Sequence, residues 1–293
     1  HPAVGDWSAP PTYLRNVAFT GEVIRFVRPW HLFQQCGKAI EHDFNLLTEG
    51  RRSALLGPMN TVVGDPNLIF LEEGAVVEAS ILNTKGGPIY IGKGAEVMEG
   101  CMLRGPIVVG DHAVIKMGAK VYGPSAFGPE SRVGGEVSNS VITGYSNKGH
   151  DGFLGNSVLG EWCNLGADTN TSNLKNTYGN VQVWSYAEGK QIATDLQFCG
   201  LLMGDHSKSG INTMFNTGTV VGVAANVFGG GFPPKHIPGF SWGGANGFET
   251  YDIERALSTA RVVMERRHIP LTVIDEAVLR QVFGMAHADA AQR

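Results

Sequence analysis

Large apolar residues recur at every sixth position through the middle of the chain: Ile91, Val97, Leu103, Val109, Ile115, Val121, Phe127 and Val133. A helix, with about 3.6 residues per turn, drifts out of phase with such a pattern within two repeats. Four residues after each large residue comes a mostly small one: Ala95, Cys101, Ile107, Ala113, Ala119, Ser125, Ser131 and Val137. Glycine directly follows the large residue at Gly92, Gly110, Gly128 and Gly134. Fixed-period self-similarity of this kind marks a solenoid, whose units bury their apolar faces only by stacking on one another. The pattern predicts an all-β solenoid in which three six-residue blocks make one triangular coil. The large residue then points inward, the small one sits near a corner, and glycine supplies backbone conformations denied to other residues.

Shorter runs flank the central one in shifted register: Leu71 and Val77 before it, Phe153, Leu159 and Leu165 after it, then Ile211, Thr217 and Val223 with Phe215, Val221 and Val227. These shifts predict loops pushed out of the coil at 83–88 and within 138–152, with a further polar interruption at 170–194. The solenoid is thereby delimited to 67–231. Residues 1–66 read as an α/β adaptor and first cap, with a strand at 22–27 and an amphipathic helix carrying Trp30, Leu32, Phe33, Ile40, Phe44 and Leu47. Residues 232–293 read as a glycine-rich and aromatic loop followed by capping helices at 251–267 and 272–283, separated by Pro270. Such caps cover the edges and the apolar end of an open coil.

Composition narrows the function classes. Net charge is −4 with only 17% charged residues, so no basic field exists to neutralise nucleic acid or to hold an acidic membrane surface. No apolar run approaches the roughly 20 residues that span a bilayer, which predicts a soluble protein with no membrane partner. Cys36, Cys101, Cys163 and Cys199 are widely spaced without a Cys-x-x-Cys pair, which fits a reducing cytoplasm. Glycine, at 40 of 293 residues, is about twice its usual share, as a repeated turn requires.

The stretch 144–155 interrupts the apolar rhythm with Tyr145, Ser146, Asn147, Lys148, His150 and Asp151 among glycines. His150, between Gly149 and Gly152, is expected at a coil corner, where an imidazole is suited to proton transfer near neutral pH; a hydrogen-bonded structural role is the alternative. Asn164, Asn170, Asn173, Lys175 and Asn176 follow one coil later. They read either as a wall for a hydroxyl-rich anionic ligand or as an asparagine ladder satisfying turns. His206, beside Asp205 and near Lys208, has three open readings: the donor's phosphates, the acceptor site, or a turn. The stretch 229–235 is either a bed for a pantetheine arm or a plain exit loop.

The runs Ser146-Asn147-Lys148-Gly149-His150, Phe153-Leu154-Gly155, Asn164-Leu165-Gly166-Ala167-Asp168-Thr169 and Asn173 resemble the acetyltransferase half of the bifunctional glucosamine-1-phosphate acetyltransferase/N-acetylglucosamine-1-phosphate uridylyltransferases. The chain also resembles the C-terminal part of a bacterial family of sugar-nucleotidyltransferase-like proteins, through Gly144 to Ser157, Gly204 to Thr213 and Phe240-Ser241-Trp242-Gly243-Gly244. The resemblance implies a left-handed parallel β-helix, a homotrimer with active sites between subunits, acetyl-CoA as co-substrate and an amino-sugar phosphate as acceptor. It makes His150 the general base, with a backbone N–H stabilising the oxyanion. Asn164 and Asn173 match positions near the amino sugar and the histidine, and Lys175 matches a phosphate-binding lysine. Lys148 and Phe153 join the substrate-binding set, Phe153 standing where the family has a tyrosine. His206, Lys208 and Gly222 are the candidate contacts to the co-substrate.

No glycine-rich, basic nucleotide-binding loop occurs in the sequence, and 1–29 reads at most as the tail of a nucleotidyltransferase domain, so nucleotidyl transfer is not expected of this chain. Two other classes compete with an acyltransferase. One is a zinc enzyme built on the same kind of solenoid, with His112, His150 and His206 as ligands; the lack of a closely spaced histidine pair argues against it, and no metal is expected. The other is a non-catalytic trimerising or regulatory scaffold for a sugar-1-phosphate nucleotidyltransferase.

Overall fold

The computed structural model describes residues 17–21 and 23–291; the adaptor residues 1–16 and Glu22 lie outside the described residues. Parallel strands stack into three sheets, one on each side of a prism, forming a three-sided parallel β-helix. Sheet A runs from Thr61–Val63 to Phe153–Gly155, sheet B from Ile69–Leu71 to His236–Ile237, and sheet C from Val76–Val77 to Ser241–Gly244. Every sixth apolar residue of the central run points into the lumen: Ile91, Val97, Val109, Ile115 and Val133 are fully buried, and Leu103, Val121 and Phe127 are 1% exposed. Full burial of each such side chain contributes about 1.5–3 kcal/mol, and stacking supplies the partner surface that one coil lacks.

The glycines after these residues serve a different purpose from the one the repeat suggests. Gly110 and Gly128 are not in the left-handed region. A Cβ on Gly128 would lie 1.8 Å from the Thr143 carbonyl oxygen, and one on Gly110 would lie 2.8 Å from that of Phe127. They are glycine because the next coil's backbone occupies the space of a side chain. Left-handed residues fall at other positions, among them a ladder at the corner between sheets B and C, where His112, Glu130, Tyr145, Trp162, His206, Ala224 and Phe240 all have φ between 50° and 60°.

The loop expected at 83–88 forms, but 138–152 is no excursion. Val141–Gly144 and Asn147–Lys148 are regular rungs, and the register shifts because two sides of the coil are shortened, so that the inward residues pass from Val133 to Val137 to Ile142 to Lys148. The following inward residue is Leu154, which is fully buried, whereas Phe153 faces outward. The coil also extends beyond 67–231. Thr61–Val63 pairs with Ile81–Asn83 at one end. His236–Ile237 and Ser241–Gly244 add rungs at the other, closed by the antiparallel strand Gly247–Thr250.

No strand forms over 23–27. The amphipathic helix does form, as α1 (His31–Thr48), and buries Phe33, Cys36, Ile40 and Phe44, while Leu47 stays exposed. After Asn170–Thr171 the chain leaves the coil, forms the hairpin Gln182–Ser185 with Lys190–Ala193, and returns at Leu202. Its Val181, Val183 and Cys199 pack with Trp30 and Phe33 on Val158, Leu202 and Val220, so the outer face of sheet B is apolar and covered. The C-terminal helices are α2 (Ile253–Glu265) and α3 (Val273–Ala291). Asp252 caps α2 by accepting from Arg255 N at 3.0 Å, and Leu257, Ala260 and Leu279 pack on Ala224 and Phe240 at the B/C corner. All four cysteines are buried free thiols. Among the described residues no helix is long and apolar enough to cross a membrane.

Candidate functional site

His150 occupies the corner between Asn147–Lys148 of sheet C and Phe153–Gly155 of sheet A, and it is exposed. The corner is narrow. Gly152 adopts φ +113°, and a Cβ there would lie 2.3 Å from the Thr169 carbonyl oxygen of the next coil. Among the described residues the imidazole makes no hydrogen bond, so its nitrogens face solvent.

The resemblance makes Lys148 a substrate contact, but the structure turns it inward. It stacks on Val133 in the lumen, 2% exposed, where every other member of that column in the neighbouring coils is apolar or a small hydroxyl. Its ammonium donates to the His150 carbonyl oxygen. Burial pushes its pKa down to about 8, against the partial support of Asp151 and Asp168. Beyond it lie buried hydroxyls: Thr169 Oγ1 and Ser209 Oγ are 2.8 Å apart, and Thr171 Oγ1 donates to the Phe153 carbonyl oxygen at 3.2 Å. Buried hydroxyls line other coils too, but among the described residues of the inward sheet C column only this coil carries a charged side chain.

The remaining candidates divide between the two flanks of that corner. On the sheet A flank, Phe153 and Asn173 come together over Gly155, where a Cβ would lie 2.5 Å from Phe153 Cζ and 2.6 Å from Asn173 Nδ2. Asn173 Nδ2 donates to Asn156 Oδ1 at 2.8 Å. Asn170 behaves as a turn ladder: its Oδ1 accepts from Phe153 N at 2.9 Å and its Nδ2 donates to the Asp168 carbonyl oxygen at 3.0 Å. On the sheet C flank, Asn164 faces outward between Asn147 and Lys208.

Four predicted contacts are placed apart from His150. Lys175 is drawn into the hairpin excursion, where its ammonium donates to the Asn180 carbonyl oxygen. Gly222 is buried, with Gly239 N and the Tyr186 hydroxyl standing 2.2 Å and 2.7 Å from where a Cβ would be, so it offers no open groove. His206 sits at the B/C corner, stacked on Trp162 with ring centroids 6.3 Å apart. Burial, helped by nearby Lys208, lowers its pKa to about 4, which keeps the ring neutral. Lys208 Nζ donates to the His206 carbonyl oxygen at 2.8 Å. His112 shares the His206 corner, whereas His150 stands at another, so the three histidines do not converge within one chain.

The curated proteins it matches join two activities in their names. The bifunctional sugar-1-phosphate nucleotidylyltransferase/acetyltransferase of Sulfurisphaera tokodaii is 33% identical over 95 residues, 32% of this chain and 23% of that protein. The bifunctional protein GlmU of Methanococcus aeolicus is 30% identical over 120 residues, 41% of this chain and 25% of that protein. The chain is similar to these bifunctional proteins over 32% and 41% of its length. The resemblance read from the sequence is borne out by them, and the chain spans about a quarter of the length of these bifunctional relatives. Among solved structures, the polySia specific acetyltransferase NeuO aligns with 66% of this chain and 86% of its own at 11% identity, with a TM-score of 0.37. No family model matches the chain.

Proposed function

We propose that the protein is an acyl-CoA-dependent N-acyltransferase, using acetyl-CoA to acylate an amino-sugar phosphate such as glucosamine 1-phosphate in the cytoplasm. The observation that carries this reading is the exposed imidazole of His150 at a glycine-flanked coil corner, in a chain similar to sugar-1-phosphate nucleotidylyltransferase/acetyltransferases. In the reaction His150 takes a proton from the sugar amine as the nitrogen attacks the thioester carbonyl. A backbone N–H stabilises the tetrahedral oxyanion, which collapses to the amide as the C–S bond breaks and the thiolate leaves. The proton held by His150 then passes to the leaving sulfur. Phe153 and Asn173 on one flank and Asn164 on the other frame the acceptor. The narrow corner suits a homotrimer in which a neighbouring copy closes the site.

The donor half of this reading is tested by thermal unfolding with acetyl-CoA. A co-substrate present at a hundred times its dissociation constant stabilises the folded chain by about 2.7 kcal/mol. The expected result is a rise in the unfolding midpoint that saturates with acetyl-CoA and is reproduced by coenzyme A. A midpoint that stays flat favours the non-catalytic scaffold, a reading to which Gly222 lends some weight, since it is covered by the hairpin rather than open to a donor.

A further inference from the structure

Helix α2 runs back along the coil, and its C-terminal end closes a cavity of about 580 Å³ against the outer face of sheet C. Five cationic side chains line it: Lys116, Arg132, Lys208, Arg266 and Arg267. Glu130 is their one neutralising partner among the described residues, its Oε2 3.4 Å from both Arg132 and Arg267. That leaves Lys116, Lys208 and Arg266 without a carboxylate at ion-pair distance among the described residues. Burial alone lowers the pKa of Lys208, whereas burial and then the like charges of Arg132 and Arg266 lower that of Arg267 against the partial support of Glu130.

The rest of the lining is planar and amide-rich. Half-buried Tyr145 stacks on buried Trp162 with ring centroids 4.4 Å apart, which backs an exposed aromatic surface with a rigid one. Asn147 and Asn164 add amide donors and acceptors. The volume lies inside the range of roughly 300–1,000 Å³ usual for small-molecule sites. Excess positive charge selects multiply charged anions, guanidinium groups favour phosphate, and a flat aromatic surface accepts a planar ring. His150 is not among the lining residues.

We infer that this cavity binds a nucleoside diphosphate group, with its adjacent phosphates among Lys116, Arg266 and Lys208 and its planar base against Tyr145. Two sources carry that chemistry: the adenosine diphosphate portion of coenzyme A, or a separate nucleotide acting as effector. The coenzyme A source rests on the reaction proposed above, but the two fail separately, because binding is read directly and a variant inactive through His150 keeps the cavity.

Isothermal titration of the full chain with pyrophosphate, ADP and UDP tests it. Wild type is expected to bind pyrophosphate and at least one nucleotide at low salt. The double substitution Lys116→Ala with Arg266→Ala, at two positions on the cavity rim, is expected to weaken both at least tenfold. Tyr145→Ala is expected to weaken the nucleotide and spare pyrophosphate. Coenzyme A then assigns the source: displacement of pyrophosphate identifies the co-substrate, and simultaneous binding identifies a separate nucleotide. Failure of wild type to bind any of these anions, or binding unaltered in the double variant with its unfolding midpoint intact, overturns the inference.

Discussion

His150→Ala is expected to lower acetyl transfer by about 10²- to 10⁴-fold, the usual range for removing a general base, while the coil stays folded. The two halves of this expectation have separate structural grounds. The ring is exposed and makes no hydrogen bond among the described residues, so its removal opens no cavity and strands no partner; exposed substitutions of that kind change stability by about 0.5 kcal/mol or less. The anchoring bond at this corner is made by the His150 carbonyl oxygen, which alanine keeps. Steady-state rates with acetyl-CoA and glucosamine 1-phosphate, alongside unfolding curves, check both. Acetyl-CoA should still raise the unfolding midpoint of the variant. Near-normal turnover would end the assignment of His150 as base.

Lys148→Met is expected to stabilise the protein at neutral pH, although lysine makes a hydrogen bond that methionine cannot. The sign follows from linkage. Burial lowers the Lys148 pKa from its ordinary 10.5 to about 8, so between those values the unfolded chain binds more protons than the folded one, and stability rises with pH. Below pH 8 both states carry the charge, and the folded state bears the whole cost of burying it. The shift corresponds to about 3 kcal/mol. Methionine, of similar volume and uncharged, removes that cost, as replacing buried charge by apolar groups often does. The expected gain is roughly 5–10 °C in unfolding midpoint at pH 7. The advantage over wild type should shrink by about 3 kcal/mol between pH 8 and 10.5, as wild type sheds its buried charge. Denaturant unfolding of both proteins across that interval reads this directly, and parallel curves would refute it. If the ammonium also holds the His150 corner in place, Lys148→Met trades activity for stability, as strained functional sites commonly do.

Much of the architecture was legible because the lumen of a coil accepts one kind of residue. Ile91 to Val133 repeat at six since each side of the prism must deliver one large apolar group to the same narrow interior. Helix α1 and the C-terminal helices were visible through apolar spacing and Pro270. The segment 138–152 suggests a loop from sequence because a shortened side and an extruded loop leave the same trace, a shift in register; only pairing with neighbouring coils tells them apart. That shift also hid which of Phe153 and Leu154 turns inward. Lys148 was illegible for a related reason, as a charged residue at an inward position contradicts the rule by which inward positions are found.

The sequence by itself determined the repeat, the three-sided parallel coil it builds, and the polar corner that carries His150, because each follows from local spacing and composition. Tertiary structure decided which way Lys148 points, where the hairpin seals Gly222, and how Arg266 and Arg267 meet Lys116 and Arg132 across more than a hundred residues of chain. Those outcomes depend on the stacking register and on a helix folding back along the coil. Neither leaves a periodic mark, since contacts between distant segments are selected by shape and charge rather than by spacing.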